Sequence, residues 1–202
     1  MNEFFVNVDL AEIWLATVDT LLMLGGSLLF TVLFGLPLGV LLFLTGPRQM
    51  FERRGLYRLL SVLVNALRSL PFIILLIVMI PVTVLLTGTS LGVAGAIPPL
   101  VAGATPFFAR LVETALREVD DALLPEARPG IIAAITITAI TLVSYTAMAG
   151  VVGAGGLGDL AIRFGYQRFQ TDVMIVTVVL LLVLVQILQS IGDRLVVHFS
   201  RR

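Results

Sequence analysis

Five long apolar stretches, separated by short polar or charged ones, run through this chain, at about residues 17–44, 59–86, 92–116, 131–152 and 173–197. A helix rising 1.5 Å per residue needs about 20 apolar residues to cross roughly 30 Å of hydrocarbon. The first, fourth and fifth stretches satisfy this outright. The second contains Arg68, Pro71 and Pro81, and the third Pro98, Pro99 and Pro106. These two reach the required length only if polar residues sit at their interfacial ends. Membrane-spanning strands would instead show segments of about ten residues with alternating polarity, whereas residues 73–80 are apolar at every position. The pattern predicts an all-α membrane protein, a single transmembrane domain of five helices over residues 1–202.

Composition agrees with lipid as the solvent. Of the 202 residues 58% are hydrophobic and only 13% charged, with a mean hydropathy of +1.07. A soluble domain carries about 25% charged residues and could not cover its surface with so few. The net charge of zero leaves no basic patch for nucleic acid. Cysteine is absent and His198 is the single histidine, which removes disulfides, thiol nucleophiles and a histidine-based metal site within one chain.

Charge also gives a direction. All thirteen basic residues are arginine. Arg48, Arg53, Arg54 and Arg58 follow the first stretch, Arg117 and Arg128 flank the loop after the third, and Arg194, Arg201 and Arg202 lie at the C-terminal end. The opposite side holds Arg163 and Arg168, a bias of nine to two. Cytoplasmic loops are the arginine-rich ones, so the N-terminus is expected outside and the C-terminus inside. The N-terminal residues carry Glu3, Asp9, Glu12 and Asp19 and no arginine before Arg48, unlike the basic opening of a secretory signal. The two halves show no repeat of the kind found in inverted-repeat secondary transporters. Five spans are few for a complete pathway, so a homodimer is expected.

Charges and small residues within the spans mark the candidate sites. Arg68 lies beside Pro71, and it either extends to an interface or makes a functional contact. Arg110, Glu113 and Arg117 recur at helical spacing, so Glu113 can pair with an arginine on one helix face. Ser144, Tyr145 and Met148 interrupt the fourth stretch with hydroxyl, small and flexible groups, the composition of a helix lining a pathway or a helix interface. Gly153, Gly155, Gly156 and Gly158 match a dinucleotide-binding glycine pattern only formally. No strand precedes them, and Asp172 is misplaced for the acidic partner. They read better as a flexible, tightly turning loop at the outer mouth, where backbone approaches backbone. A membrane enzyme would need clustered acids, histidines or cysteines at membrane depth, and Glu113 is the only acid there.

Several stretches together resemble the methionine permeases of ATP-binding-cassette (ABC) importers. They are residues 67–73 around Arg68 and Pro71, residues 106–113 from Pro106 to Glu113, residues 122–130, residues 144–158, and the tail Gly192, Asp193 and Arg194. The resemblance covers nearly the whole chain in order, and the glycines at 153–158 favour the methionine branch. It implies a type I importer permease fold, in which two permease chains form the pathway for D- and L-methionine across the bacterial inner membrane. Two cytoplasmic ATPase subunits, using ATP and Mg, would dock beneath, and an outer methionine-binding protein would deliver substrate. The chain itself would be no enzyme and bind no cofactor. The family's cytoplasmic motif, Glu-Ala-Ala followed by Gly and then Leu-Pro, survives only as Leu124 and Pro125. Near residues 118–125 roughly 20 residues, or about 30 Å of helix, are missing. A permease for another small solute, an uncoupled variant, and a channel or scaffold without an energised partner are the alternatives.

Overall fold

The computed structural model describes residues 7–49, 51–118 and 127–200. Among these run α1 (Leu10–Thr45), α2 (Arg54–Ser69), α3 (Phe72–Val78), α4 (Ile80–Thr87), α5 (Gly92–Arg117), α6 (Arg128–Ala149), α7 (Gly156–Leu160) and α8 (Thr171–Ser200). A 3-10 turn, Gly150–Val152, ends α6, and a π-helical stretch, Ala161–Tyr166, continues α7. Leu124 and Pro125, the residual coupling motif, lie outside the described residues.

Four helices, α1, α5, α6 and α8, are each long and apolar enough to cross a membrane, and a fifth crossing exists if the bent pair α2–α3 counts as one. The first begins earlier than its apolar run. Asp9 is extended and its carboxylate accepts the Ala11 N–H at 2.9 Å, while Glu12 sits in the first turn near the positive end of the helix.

The second stretch is not one helix. α3 leaves α2 at 102°. Leu70 is extended, with φ −77° and ψ 130°, because the ring of Pro71 disfavours helical backbone before it, and Pro71 has no N–H to offer the preceding turn. By contrast Pro81 falls in the first turn of α4, where the missing N–H costs little. Pro98, Pro99 and Pro106 are accommodated within a continuous α5.

α5 is the centre of the bundle and α8 its perimeter: 44% of the apolar window of α5 is buried, against 6% for α8. Two glycines let α1 lie against α5. A Cβ on Gly39 would come 2.7 Å from the Ala109 carbonyl oxygen, and one on Gly35 would come 2.7 Å from the Phe108 ring. This small-xxx-small spacing allows helices to approach closely where lipid offers no hydrophobic drive for association. Around the seam, Phe43, Phe108, Val112 and Leu116 form one buried cluster, while Met23, Phe72, Leu100 and Leu142 belong to another.

The ends of the helices sort into two groups. At one, the Gly92 N–H donates to the Gly153 carbonyl at 3.0 Å, the Leu157 N–H donates to Thr20 Oγ1 at 2.8 Å, and the Asn7 N–H donates to Asp172 at 2.9 Å. The starts of α1, α5 and α8 therefore meet the end of α6. At the other, the Arg53 N–H donates to the Thr45 carbonyl at 3.2 Å, and Gly130 lies against Ala115.

Candidate functional site

Two long arginines and a glutamate on one face of α5 meet a polar stripe on α2. Glu113 is 4% exposed at its side chain, yet its carboxylate is fully engaged. Arg110 donates to Oε2 at 2.5 Å, Arg117 to Oε1 at 2.9 Å, and the Tyr57 hydroxyl to Oε1 at 3.1 Å. Arg110 also reaches Ser61 Oγ and, at 3.2 Å, Asn65 Oδ1. Arg117 donates to the Tyr57 hydroxyl at 3.4 Å. Removing a charge from water is offset only when its partners are in place, and here they are. The expected pairing of Glu113 with arginine is present. Tyr57, Ser61 and Asn65 were not expected, although their spacing, one polar residue per turn on a leucine-rich helix, was the available signal. The result is a polar clamp holding α2 to α5.

Arg68 does not join this clamp. Its guanidinium carbon lies 5.9 Å from the centre of the Phe107 ring, beside the α2–α3 break. Phe72, opening α3, stacks on Tyr145 of α6 with centroids 4.2 Å apart and planes 3° from parallel. Arg68, Phe107, Phe72 and Tyr145 line a cavity of about 110 Å³.

The three candidate residues on α6 divide between two directions. Ser144 and Met148 are exposed, Met148 at 39%. With Ile137, Thr141 and Val151 they recur every three or four residues, and therefore share one face of the helix. Tyr145 is turned from that face onto Phe72. The rest of α6 is packed, with Ala134, Thr138, Leu142, Val143 and Thr146 buried.

The glycine loop is a tight turn in which backbone meets backbone. Gly153, Gly155 and Gly156 have φ of 84°, 78° and 80°, the left-handed region that other residues avoid. A Cβ on Gly156 would come 2.7 Å from Thr20 Oγ1 and 2.8 Å from Met23 Cε. Gly158 packs directly on the Ala147 backbone. The loop thus folds α7 back against α1 and α6, where Leu157 and Leu160 are buried with Ala16. Thr20, the hydroxyl that receives the Leu157 N–H, had no signal in the sequence beyond being a threonine in an apolar run.

Long apolar helices around a central α5, a span broken at a proline and a clamped charge cluster, with no group of metal-ligating side chains among the described residues, define a helical, multi-span membrane protein. No family model matches the chain. Full-length relatives do. The probable D-methionine transport system permease protein MetI of Vibrio cholerae serotype O1 is 47% identical over 220 aligned positions, covering 98% of this chain and 96% of the relative. The methionine import system permease protein MetP of Bacillus subtilis is 43% identical, covering 95% of each. A crystal structure of the MetNI methionine ABC transporter in an inward-facing conformation superposes with a TM-score of 0.92 at 43% identity, covering 98% of this chain and 99% of that one. An amino acid ABC transporter at 14% identity, with a TM-score of 0.75, shares the fold. The chain belongs to the methionine ABC-importer permease family and is a multi-pass protein of the bacterial inner membrane.

Proposed function

We propose that this chain forms half of a pathway for D- and L-methionine across the membrane, as one of two identical permease subunits above two ATPases, with an outer binding protein supplying the substrate. The observation that carries the reading is the uncovered face of α6. A helix whose Thr138, Leu142, Val143 and Thr146 are buried leaves Ile137, Ser144 and Met148 exposed, with Thr141 half-buried among them. Such apolar and hydroxyl groups make only weak contacts, and so release a solute readily. Specificity then belongs to the separate binding protein, and ATP with Mg to the partner ATPase.

Direction and span number belong to the same proposal. α1 and α5 begin at the same end of the bundle, so the chain between them must return across it, and α2, α3 and α4 together make that return as one broken span. This supports five crossings. With the arginine bias, it supports an outer N-terminus and a cytoplasmic C-terminus.

The face of α6 is tested by substitution. The chain has no native cysteine, so single cysteines report cleanly. Ser144→Cys and Met148→Cys should react with a water-soluble thiol reagent at least ~10-fold faster than Leu142→Cys, whose position is buried. Equal rates would remove α6 from the pathway.

A second reading, an uncoupled permease, is favoured by one specific observation. The Vibrio cholerae relative aligns over 220 positions although this chain has only 202 residues. About twenty positions of the relative therefore have no counterpart here, the length by which the coupling motif falls short at residues 118–125. An element that ATPase motion can push against needs that helix. The chain is expected to insert and fold yet transport poorly.

A further inference from the structure

We propose that Arg68 docks the carboxylate of an amino acid in transit, at the small cavity between Phe72, Phe107 and Tyr145. The inference rests on the permease reading above and adds a binding site to it. Among the described residues no acidic side chain pairs with Arg68, whereas Arg110 and Arg117 share Glu113, Arg163 meets Asp159, and Arg54 meets Glu52. Arg68 nonetheless lies within a stretch of lipid-spanning composition, at the α2–α3 break. A cation at such a place requires water or an anion. The cavity supplies the space: about 110 Å³, bounded by Arg68, Phe72, Leu75, Gly103, Phe107 and Tyr145. That holds several waters, and therefore a carboxylate with the carbon that bears it.

The walls are built for this. Gly103 brings Phe72 against α5, since a Cβ there would come 3.2 Å from the Phe72 ring. The stacked Phe72 in turn fixes Tyr145 at the cavity edge. Among the described residues the Tyr145 hydroxyl makes no hydrogen bond, and so remains available as a second donor. A guanidinium fork matches a carboxylate through two parallel hydrogen bonds. The ammonium group of the same molecule has a place too. α2 ends beside Arg68; the Leu67 carbonyl accepts the Leu70 N–H, and the carbonyl end of a helix as a whole favours a cation. Pro71 provides no N–H to compete for that end. An apolar side chain then lies on Phe107 and Leu75. A far larger groove of about 860 Å³ lies between α1, α2, α4 and α5, but its lining, including Phe30, Phe34, Leu63 and Ile97, has no charged group for a zwitterion.

The test uses the full chain in nanodiscs of zwitterionic lipid. Modification of each arginine by phenylglyoxal is followed by peptide mass spectrometry. L-Methionine at ~20 mM should slow modification of Arg68 at least about threefold, as a millimolar site requires, and leave the exposed Arg168 unchanged. Methioninol, which has the ammonium and thioether but no carboxylate, should not protect. Tyr145→Phe should raise the methionine needed for equal protection about tenfold, the loss of one hydrogen bond to a charged group being the cause. No protection, or equal protection by methioninol, overturns the site. Protection by anionic lipid alone assigns Arg68 to a headgroup phosphate and overturns it as well. In a reconstituted complex with the coupling loop restored, methionine uptake that survives Arg68→Gln at unchanged KM and rate overturns the site while leaving the permease reading intact. Absence of uptake in the unsubstituted complex counts against the permease reading instead.

Discussion

Glu113 shows how one carboxylate can organise two helices. Four hydrogen bonds from Arg110, Arg117 and Tyr57 converge on a side chain that is 4% exposed. Replacing it by alanine leaves Arg110, 17% exposed, without its counter-charge. Glu113→Ala should therefore destabilise the protein by about 2–4 kcal/mol, less than a fully buried pair because Arg117 is partly solvated. Thermal unfolding in detergent measures this, and a change under about 0.5 kcal/mol would contradict the clamp. Glu52, on the exposed loop before α2, is the control. The hydrogen bond from Arg54, followed by that from the Arg48 N–H, holds its carboxyl below the usual range. Such a contact is fully present above the ordinary carboxylate pKa and is lost only as pH falls through the lowered value. At neutral pH Glu52→Gln should leave the melting temperature almost unchanged. Two glycines make a second pair. Gly156 and Gly88 share a φ near +80°, but only Gly156 also faces Thr20 and Met23, and nothing lies within 4 Å of a Cβ on Gly88. Gly88→Ala should cost about 1 kcal/mol from backbone strain, and Gly156→Ala about 2 kcal/mol more from the collision with α1. Equal costs would show that the glycine loop is not packed on α1.

At the scale of elements, hydrophobic length was the reliable signal. The stretches at residues 92–116 and 173–197 correspond to α5 and α8 because each is a single helix whose ends fall where polarity returns. The stretch at 59–86 is one apolar run but not one helix, since length and hydropathy do not report direction: α2, α3 and α4 are collectively apolar, and only the restriction that Pro71 places on Leu70 shows that the helix axis must turn. Pro98, Pro99 and Pro106 warn against treating every proline as a break. Gly35 and Gly39 were visible in the sequence, four residues apart on one helix face, but which neighbour they admit is a property of the assembled bundle. The partners of Glu113 on α2 were hidden for the same reason. A sequence shows which residues share a face, while the facing helix becomes known only once packing is set. On α6 the sequence placed Ser144, Tyr145 and Met148 together, and the structure separates Tyr145, a rotation of one residue that sends it to Phe72.

For the whole molecule, α1, α5 and α8 start at the end of the bundle where α6 finishes, and the proposal of an odd number of crossings rests on that arrangement. Reporters fused to the two ends of the full chain should therefore read opposite compartments, the N-terminal one outside. Reporters in the same compartment would contradict the odd count and with it the arrangement of the importer. The proposed loss of the coupling segment belongs to this scale too: the helices described are held by contacts within the bundle, and on that proposal an ATPase would lack the helix it pushes against. The direct test is methionine uptake into proteoliposomes holding the permease, its ATPase and the external binding protein, with this chain compared to one carrying a restored coupling loop. The loop-restored complex should take up methionine when ATP is supplied, and the chain as it stands should do so at least ~10-fold more slowly, about 1.4 kcal/mol or more in effective barrier. Equal uptake by both, or none by either, would contradict the account.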